Sequence, residues 1–420
     1  FGMPINILDA LVAVGVIFLP FTLGRRRFES ERMHTALKWS FGLLLLGTVT
    51  AALMGFITGC DQREMALMSR NVLNLAICLL IGYASVTDMR SAKWAGYIVL
   101  VSSFASACAA LIFMRESTET LSMIGSTLQA LRSNNMGGDL GVVLAGFIAF
   151  CLVSRLRYIP WIIGLPAGAI AVMGSFALPH RTCYVVAIIT LSFAVWLLPR
   201  AGIGRRVATG FVLAMAAMAM VTVGVILYSR VTGRNFKEYV ETRVISILPN
   251  TDLGRKENHA WDTRLPGIMY EMRMWISSPL FGRGFGSQEV MAKRDPEGAM
   301  GFRHNVWTSS LAEGGLPLFL GFLFPCVASV VVGWRMAKGG ADRTTVMIGA
   351  IGALEGVLCF VYASCTMSIN VQRPAIPLGL ICGLLLRTRQ IQAAVAQEYA
   401  GYLDPYEDPA AAFLEVEEYA

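Results

Sequence analysis

Apolar runs of about 20 residues recur along the chain, and this is the length an α-helix needs to cross a bilayer. The runs are continuous, not alternating, which excludes a transmembrane β-barrel. Eleven can be traced, at roughly 5–24, 39–58, 71–87, 94–113, 140–154, 159–178, 183–199, 207–228, 306–334, 344–366 and 375–386. Of the 420 residues, 55% are hydrophobic and 15% charged, where a soluble domain has about 45–50% and about 25%. The expected fold is an all-α, polytopic integral membrane protein of eleven transmembrane helices, or twelve with both ends inside if a further helix precedes Phe1.

The net charge of +7 fits basic cytoplasmic loops and does not call for a nucleic-acid partner. Loops 25–38, 88–93, 155–158, 200–206, 335–343 and the segment after 386 hold 17 Lys and Arg, against 6 in loops 59–70, 114–139, 179–182 and 367–374. The remaining loop, 229–303, is too long for the positive-inside rule to govern. The first set is therefore expected inside, with the C-terminus. Seven of the nine cysteines (78, 108, 151, 183, 326, 359 and 382) lie in apolar runs. There they act as small hydrophobes and not as a disulfide or zinc framework. The expected organisation is helices 1–8 over 1–228, a periplasmic loop over 229–303, helices 9–11 over 304–389 and an acidic tail over 390–420.

Loop 229–303 alone is large enough to build a site outside the bilayer. It holds 12 Lys/Arg against 9 Asp/Glu. Within it, Arg264 to Ile276 (RLPGIMYEMRMWI) spaces its apolar residues as one face of a helix, and Pro279, Gly282, Gly284 and Gly286 follow. This predicts an interfacial amphipathic helix running into a tight glycine turn. Arg264 begins the helix, and His304 stands where the loop meets the ninth span. Taken alone, His304 also reads as an interfacial polar side chain that snorkels to water.

The segment TRLPGIMYEMRMWISSPLFGRGFG, followed by RHNVWTSSLAEGGLPLFL, resembles the signature of the O-antigen ligase and polymerase family. The matching positions are Arg264, Trp275, Pro279-Leu280-Phe281-Gly282, Gly284, Gly286, His304-Asn305 and Glu313-Gly314. A weaker match places Arg181 between the sixth and seventh spans. Family members tend to have Ser-Arg there, and this chain has His180 in place of the serine.

The resemblance implies glycan transfer outside the cytoplasmic membrane, from undecaprenyl diphosphate to a sugar hydroxyl. The acceptor is lipid A–core for a ligase, which is favoured, or a second lipid-linked glycan for a polymerase. Arginine suits the diphosphate leaving group because it stays charged and its fork binds phosphate bidentately. Arg264, Arg181 and Arg303 are the candidates, with Arg273 and Arg283 as further possibilities. Histidine, with an unperturbed pKa of about 6.5, suits removal of the hydroxyl proton, and His304 is the expected general base. Asn305, Trp275, Gly284 and His180 are expected in support. Such a displacement inverts the anomeric centre.

No cofactor is implied, and the chain has no Asp-x-Asp to hold a divalent cation on the diphosphate, so the expected reaction is metal-independent. The three glycines follow no strand, so they read as a close turn or as backbone N–H groups near phosphate. The Met- and Ala-rich eighth span (AMAAMAMV) reads as ordinary packing by small residues or as a groove for a polyprenyl chain. Glu313 and Glu355 are acids inside apolar spans, where such groups are costly. Glu355 is the best residue for a rival of another class, a secondary transporter or lipid-linked glycan flippase.

Overall fold

The computed structural model describes residues 12, 13, 15–17, 35–120, 136–154, 156, 158–177, 181–197, 207, 210, 259–287, 305–340, 342–365 and 372–402. Among them there is helix and no strand. The helices are α1 (Thr35–Ile57), α2 (Gln62–Ala84), α3 (Met89–Thr120), α4 (Met136–Ser154), α5 (Trp161–Ala177), α6 (Arg181–Trp196), α7 (His259–Ser277), α8 (Val306–Gly339), α9 (Arg343–Cys365) and α10 (Gln372–Tyr402). Five are long and apolar enough to cross a membrane: Thr35–Ile57, Gln62–Ala84, Met89–Ala109, Val306–Gly339 and Arg343–Ser364. Shorter apolar stretches run over Leu140–Leu152, Trp161–Gly174 and Val185–Trp196.

Nine of the expected spans coincide with these helices, apart from their boundaries. The first and eighth lie outside the described residues, save for a few positions. The third begins nine residues early. Asp61 caps α2 by accepting the amide of Arg63 (2.8 Å), so Arg63, Glu64 and Arg70 fall within the helix. Hydropathy discounts such residues, whereas a cap starts a helix by satisfying its first amides. The last expected span, 375–386, lies in the first half of the 31-residue α10, which runs on through the basic residues Arg387 and Arg389.

Helix α9 is the hub. It packs on α8, α10, α6, α4 and α3, and 78% of its most apolar stretch is enclosed by protein. A helix that is apolar all round can be buried all round. Small residues set the spacing to its neighbours. A Cβ on Gly333 of α8 would lie 2.6 Å from the Ala353 amide nitrogen. Helices α1 and α8 approach in the same way, since a Cβ on Gly47 would lie 2.7 Å from Leu318 Cα. This is how helices associate where no hydrophobic drive separates helix from lipid. The outward faces stay apolar: Trp39, Leu46, Leu53 and Phe56 on α1, and Trp94, Ile98 and Val101 on α3, are all exposed.

At one end of the bundle the Tyr158 hydroxyl donates to the Arg343 carbonyl (2.7 Å), and Arg387 Nε donates to the Val86 carbonyl (3.3 Å). Burial pushes the Tyr158 phenol well above its ordinary range, so it stays a donor. The opposite end carries α7, the glycine turn and the start of α8.

Candidate active site

Helix α7 contains the whole amphipathic stretch expected from the sequence, with Pro266 inside its second turn. Its buried stripe is Gly267, Glu271 and Met274, at the i, i+4, i+7 spacing of one helix face. Met269 and Ile276 are exposed.

A carboxylate in the middle of a buried stripe needs partners. Glu271 is 1% exposed and accepts hydrogen bonds from the hydroxyls of Thr308 and Ser309, the latter at 2.7 Å. Both hydroxyls belong to the first turn of α8. Asn305 caps that turn in an extended conformation (φ −142°, ψ 116°), and its Oδ1 accepts the amides of Trp307 (2.9 Å) and Thr308 (3.3 Å). Its Nδ2 donates to the Ser364 carbonyl of α9 (3.3 Å), and the Trp307 indole donates to the Ser364 hydroxyl (2.9 Å). The Trp307 ring lies 5.3 Å from Phe360. The start of α8 is thus held from α7 on one side and α9 on the other.

After α7 the chain turns through Pro279 and the three glycines, which have φ of 68° (Gly282), 97° (Gly284) and 80° (Gly286). Only glycine adopts this region without penalty. The turn lies against a break in α8. Gly315 has φ 64° and ψ −158°, and Pro317 follows. Pro317 has no N–H for the Glu313 carbonyl, and the Leu316 amide is turned away from Ala312.

The turn replaces what the break removes. Arg283 N donates to the Ala312 carbonyl (2.7 Å), Gly284 N to the Glu313 carbonyl (2.8 Å), and Leu316 N to the Pro279 carbonyl (3.2 Å). Phe285 N donates to Ala51 of α1 (3.0 Å), and the Thr58 hydroxyl to the Arg283 carbonyl (3.3 Å). The amides of Arg283, Gly284 and Phe285 are therefore spent on carbonyls of α8 and α1, and the glycines form a close turn against both helices.

Trp275, expected in a supporting role, braces this turn, its indole donating to the Pro279 carbonyl (3.0 Å). Arg283 is exposed, with Nε on the Ser277 hydroxyl (2.8 Å), and Arg273 is exposed on α7. Glu313 is 1% exposed beside the break. Glu355 is equally buried on α9 and accepts from the Cys359 thiol (3.2 Å).

Arg264 lies in α7, two turns before Glu271, and Arg181 is the first residue of α6. His304, Arg303 and His180 lie outside the described residues, His304 immediately before the Asn305 cap. Among the described residues, no group of three or more His, Cys, Asp or Glu side chains is arranged to hold a metal ion. Glu271, Thr308 and Ser309 are absent from the sequence-derived site. The signal that could have revealed Glu271 is an acid on the buried stripe of an amphipathic helix.

Residues 166–323 match the model of the family described as O-antigen ligase. The interval runs from α5 into α8 and takes in Arg181, Arg264, the glycine turn, His304, Asn305 and the α8 break. The family resemblance read from the motif holds over this interval, and ligases and polymerases are not separated by it. No curated protein matches the chain.

Proposed function

We propose that this membrane protein transfers a glycan from undecaprenyl diphosphate to a sugar hydroxyl of lipid A–core, at the periplasmic face of the bacterial inner membrane. The attacking hydroxyl oxygen forms a bond to the anomeric carbon on the face opposite the diphosphate. The glycosidic C–O bond breaks and its electron pair leaves on the diphosphate oxygen. The hydroxyl proton passes to His304, and undecaprenyl diphosphate is released with inversion. Arg264, with Arg181 and Arg303, meets the charge that grows on the leaving group, where preorganised cations act most strongly.

One observation carries the reading. The helix bearing Arg264 and the helix that begins directly after His304-Asn305 are joined through Glu271, Thr308 and Ser309. The match of residues 166–323 to the O-antigen ligase family supports it. The charge distribution of the short loops supports placing this end of the bundle outside the cytoplasm.

The test is transfer by purified protein, in EDTA, from undecaprenyl-diphosphate-linked glycan to lipid A–core. Product on lipid A–core upholds the ligase reading. Product lengthened on the lipid-linked glycan itself makes the protein a polymerase with the same site. No transfer to either acceptor by folded, donor-binding protein overturns the reading.

A further inference from the structure

Resting on that proposed function, we infer that Glu271 is a positioning residue: its carboxylate clamps α7 to the first turn of α8 and so sets the separation between Arg264 and His304. The two groups have no short connection along the chain, since 39 residues part them. Arg264 is held by α7, and His304 directly precedes the cap of α8. What fixes one against the other is the contact between these helices.

The contact is polar at its centre. Glu271 is 1% exposed, and its two oxygens divide between two donors, Oε2 taking the Thr308 hydroxyl and Oε1 the Ser309 hydroxyl. Ser309 is itself 1% exposed. An apolar contact at this point would let α7 slide or roll, because apolar packing is not directional. Two hydrogen bonds from adjacent residues to one carboxylate define both height and rotation. The carboxylate also lies at the N-terminal turn of α8, where the helix dipole favours negative charge. The glycine turn fixes the far end of α7 through Arg283, Gly284 and Leu316. Glu271 fixes its middle, on the side towards Arg264.

Such a residue changes the rate at which bound donor reacts and leaves donor binding largely alone. The measurement is made on the full chain, with spin labels at Met269→Cys on α7 and Val327→Cys on α8, which are 52% and 42% exposed. Label-to-label distances are read alongside kcat and the KM for undecaprenyl-diphosphate-linked glycan. Glu271→Gln keeps an acceptor and adds a donor, so it is expected to retain a narrow distance distribution and near-normal kcat. Glu271→Leu breaks both bonds and leaves the buried Ser309 hydroxyl and the half-buried Thr308 hydroxyl without this acceptor. The triple variant Glu271→Leu/Thr308→Val/Ser309→Ala removes the carboxylate and both hydroxyls together, a change that can be nearly neutral for stability. In the triple variant the thermal midpoint is expected to hold, the distance distribution to broaden and kcat to fall by about 10²-fold, with little change in KM.

A narrow distribution and an unchanged kcat in the triple variant overturn the clamp. If the wild-type protein transfers no glycan, the proposed function falls, and the distance measurement decides the clamp by itself.

Discussion

The amide of Gly284 donates to the carbonyl of Glu313 over 2.8 Å, making the hydrogen bond that Pro317, four residues after Glu313, cannot make. A break in a buried helix exposes carbonyls that cost free energy unless another donor reaches them. Here the donors come from a glycine turn more than two dozen residues earlier in the chain. Two motifs separate in sequence, FGRGFG and EGGLP, are halves of one structure.

Substitutions in the turn are expected to differ in severity. A Cβ on Gly284 would collide with the backbone of Gly55, whereas one on Gly286 would meet the Cβ atoms of Cys60 and Glu64 at 3.3 and 3.6 Å. Gly286→Ala carries mainly the left-handed backbone penalty of about 1–2 kcal/mol. Gly284→Ala adds displacement of α1 and is expected to cost clearly more. Thermal unfolding of the two variants in the same detergent checks the order, and equal losses would contradict the close approach of turn and α1.

The α8 break has its own asymmetry. Gly315 has φ 64°, and a Cβ there would collide with the Leu280 carbonyl. Gly315→Ala is therefore expected to unfold the site end of the bundle or lower the thermal midpoint sharply. Pro317→Ala restores an N–H, but Gly284 already occupies its acceptor, so a stability change within about 1 kcal/mol is expected. A large loss in Pro317→Ala, measured in the same assay, would show that the proline itself holds the break.

Asn305 links the cap of α8 to α9. Asn305→Ala removes the acceptor for the Trp307 and Thr308 amides and is expected to cost about 1 kcal/mol, as lost caps do. Asn305→Asp keeps that acceptor and loses only the donor to the Ser364 carbonyl. The aspartate variant should therefore retain most of the stability. If glycan transfer falls in both variants, the link to α9 matters for placing His304. If it falls only in alanine, the cap suffices.

The chemistry is tested at the two proposed reacting groups. His304→Ala is expected to slow transfer by about 10²–10⁴-fold, the usual contribution of a general base. Arg264→Lys keeps a charge but loses the bidentate fork and should retain only part of the activity lost in Arg264→Ala. Both are read as initial rates with excess EDTA, in which the wild-type protein is expected to remain active. Full activity in His304→Ala would remove it from the mechanism.

Much of this was legible in local sequence. Apolar runs mark where helices lie because a bilayer-spanning segment must hide its backbone and carry apolar side chains throughout. The amphipathic helix was legible from Arg264 to Ile276, since periodicity is a property of neighbours along the chain. The start of α2 was not, because Arg63, Glu64 and Arg70 lower the hydropathy that marked its later residues. Glu271 was hidden for a different reason. An acid in a long polar loop looks solvated until the fold supplies Thr308 and Ser309 to meet it.

By itself, then, the sequence determined the membrane class, the positions of most helices, the amphipathic α7 and the glycine turn, all of which follow from interactions within a few residues. Only the tertiary structure decided what the glycine turn is for, that the amides of Arg283 and Gly284 serve the broken α8, and that Glu271 joins α7 to the residues after His304. Those relationships depend on hydrogen bonds between groups dozens of residues apart. The spacing of residue types along a chain does not encode which buried carbonyl will be left without a donor, or which distant amide will reach it.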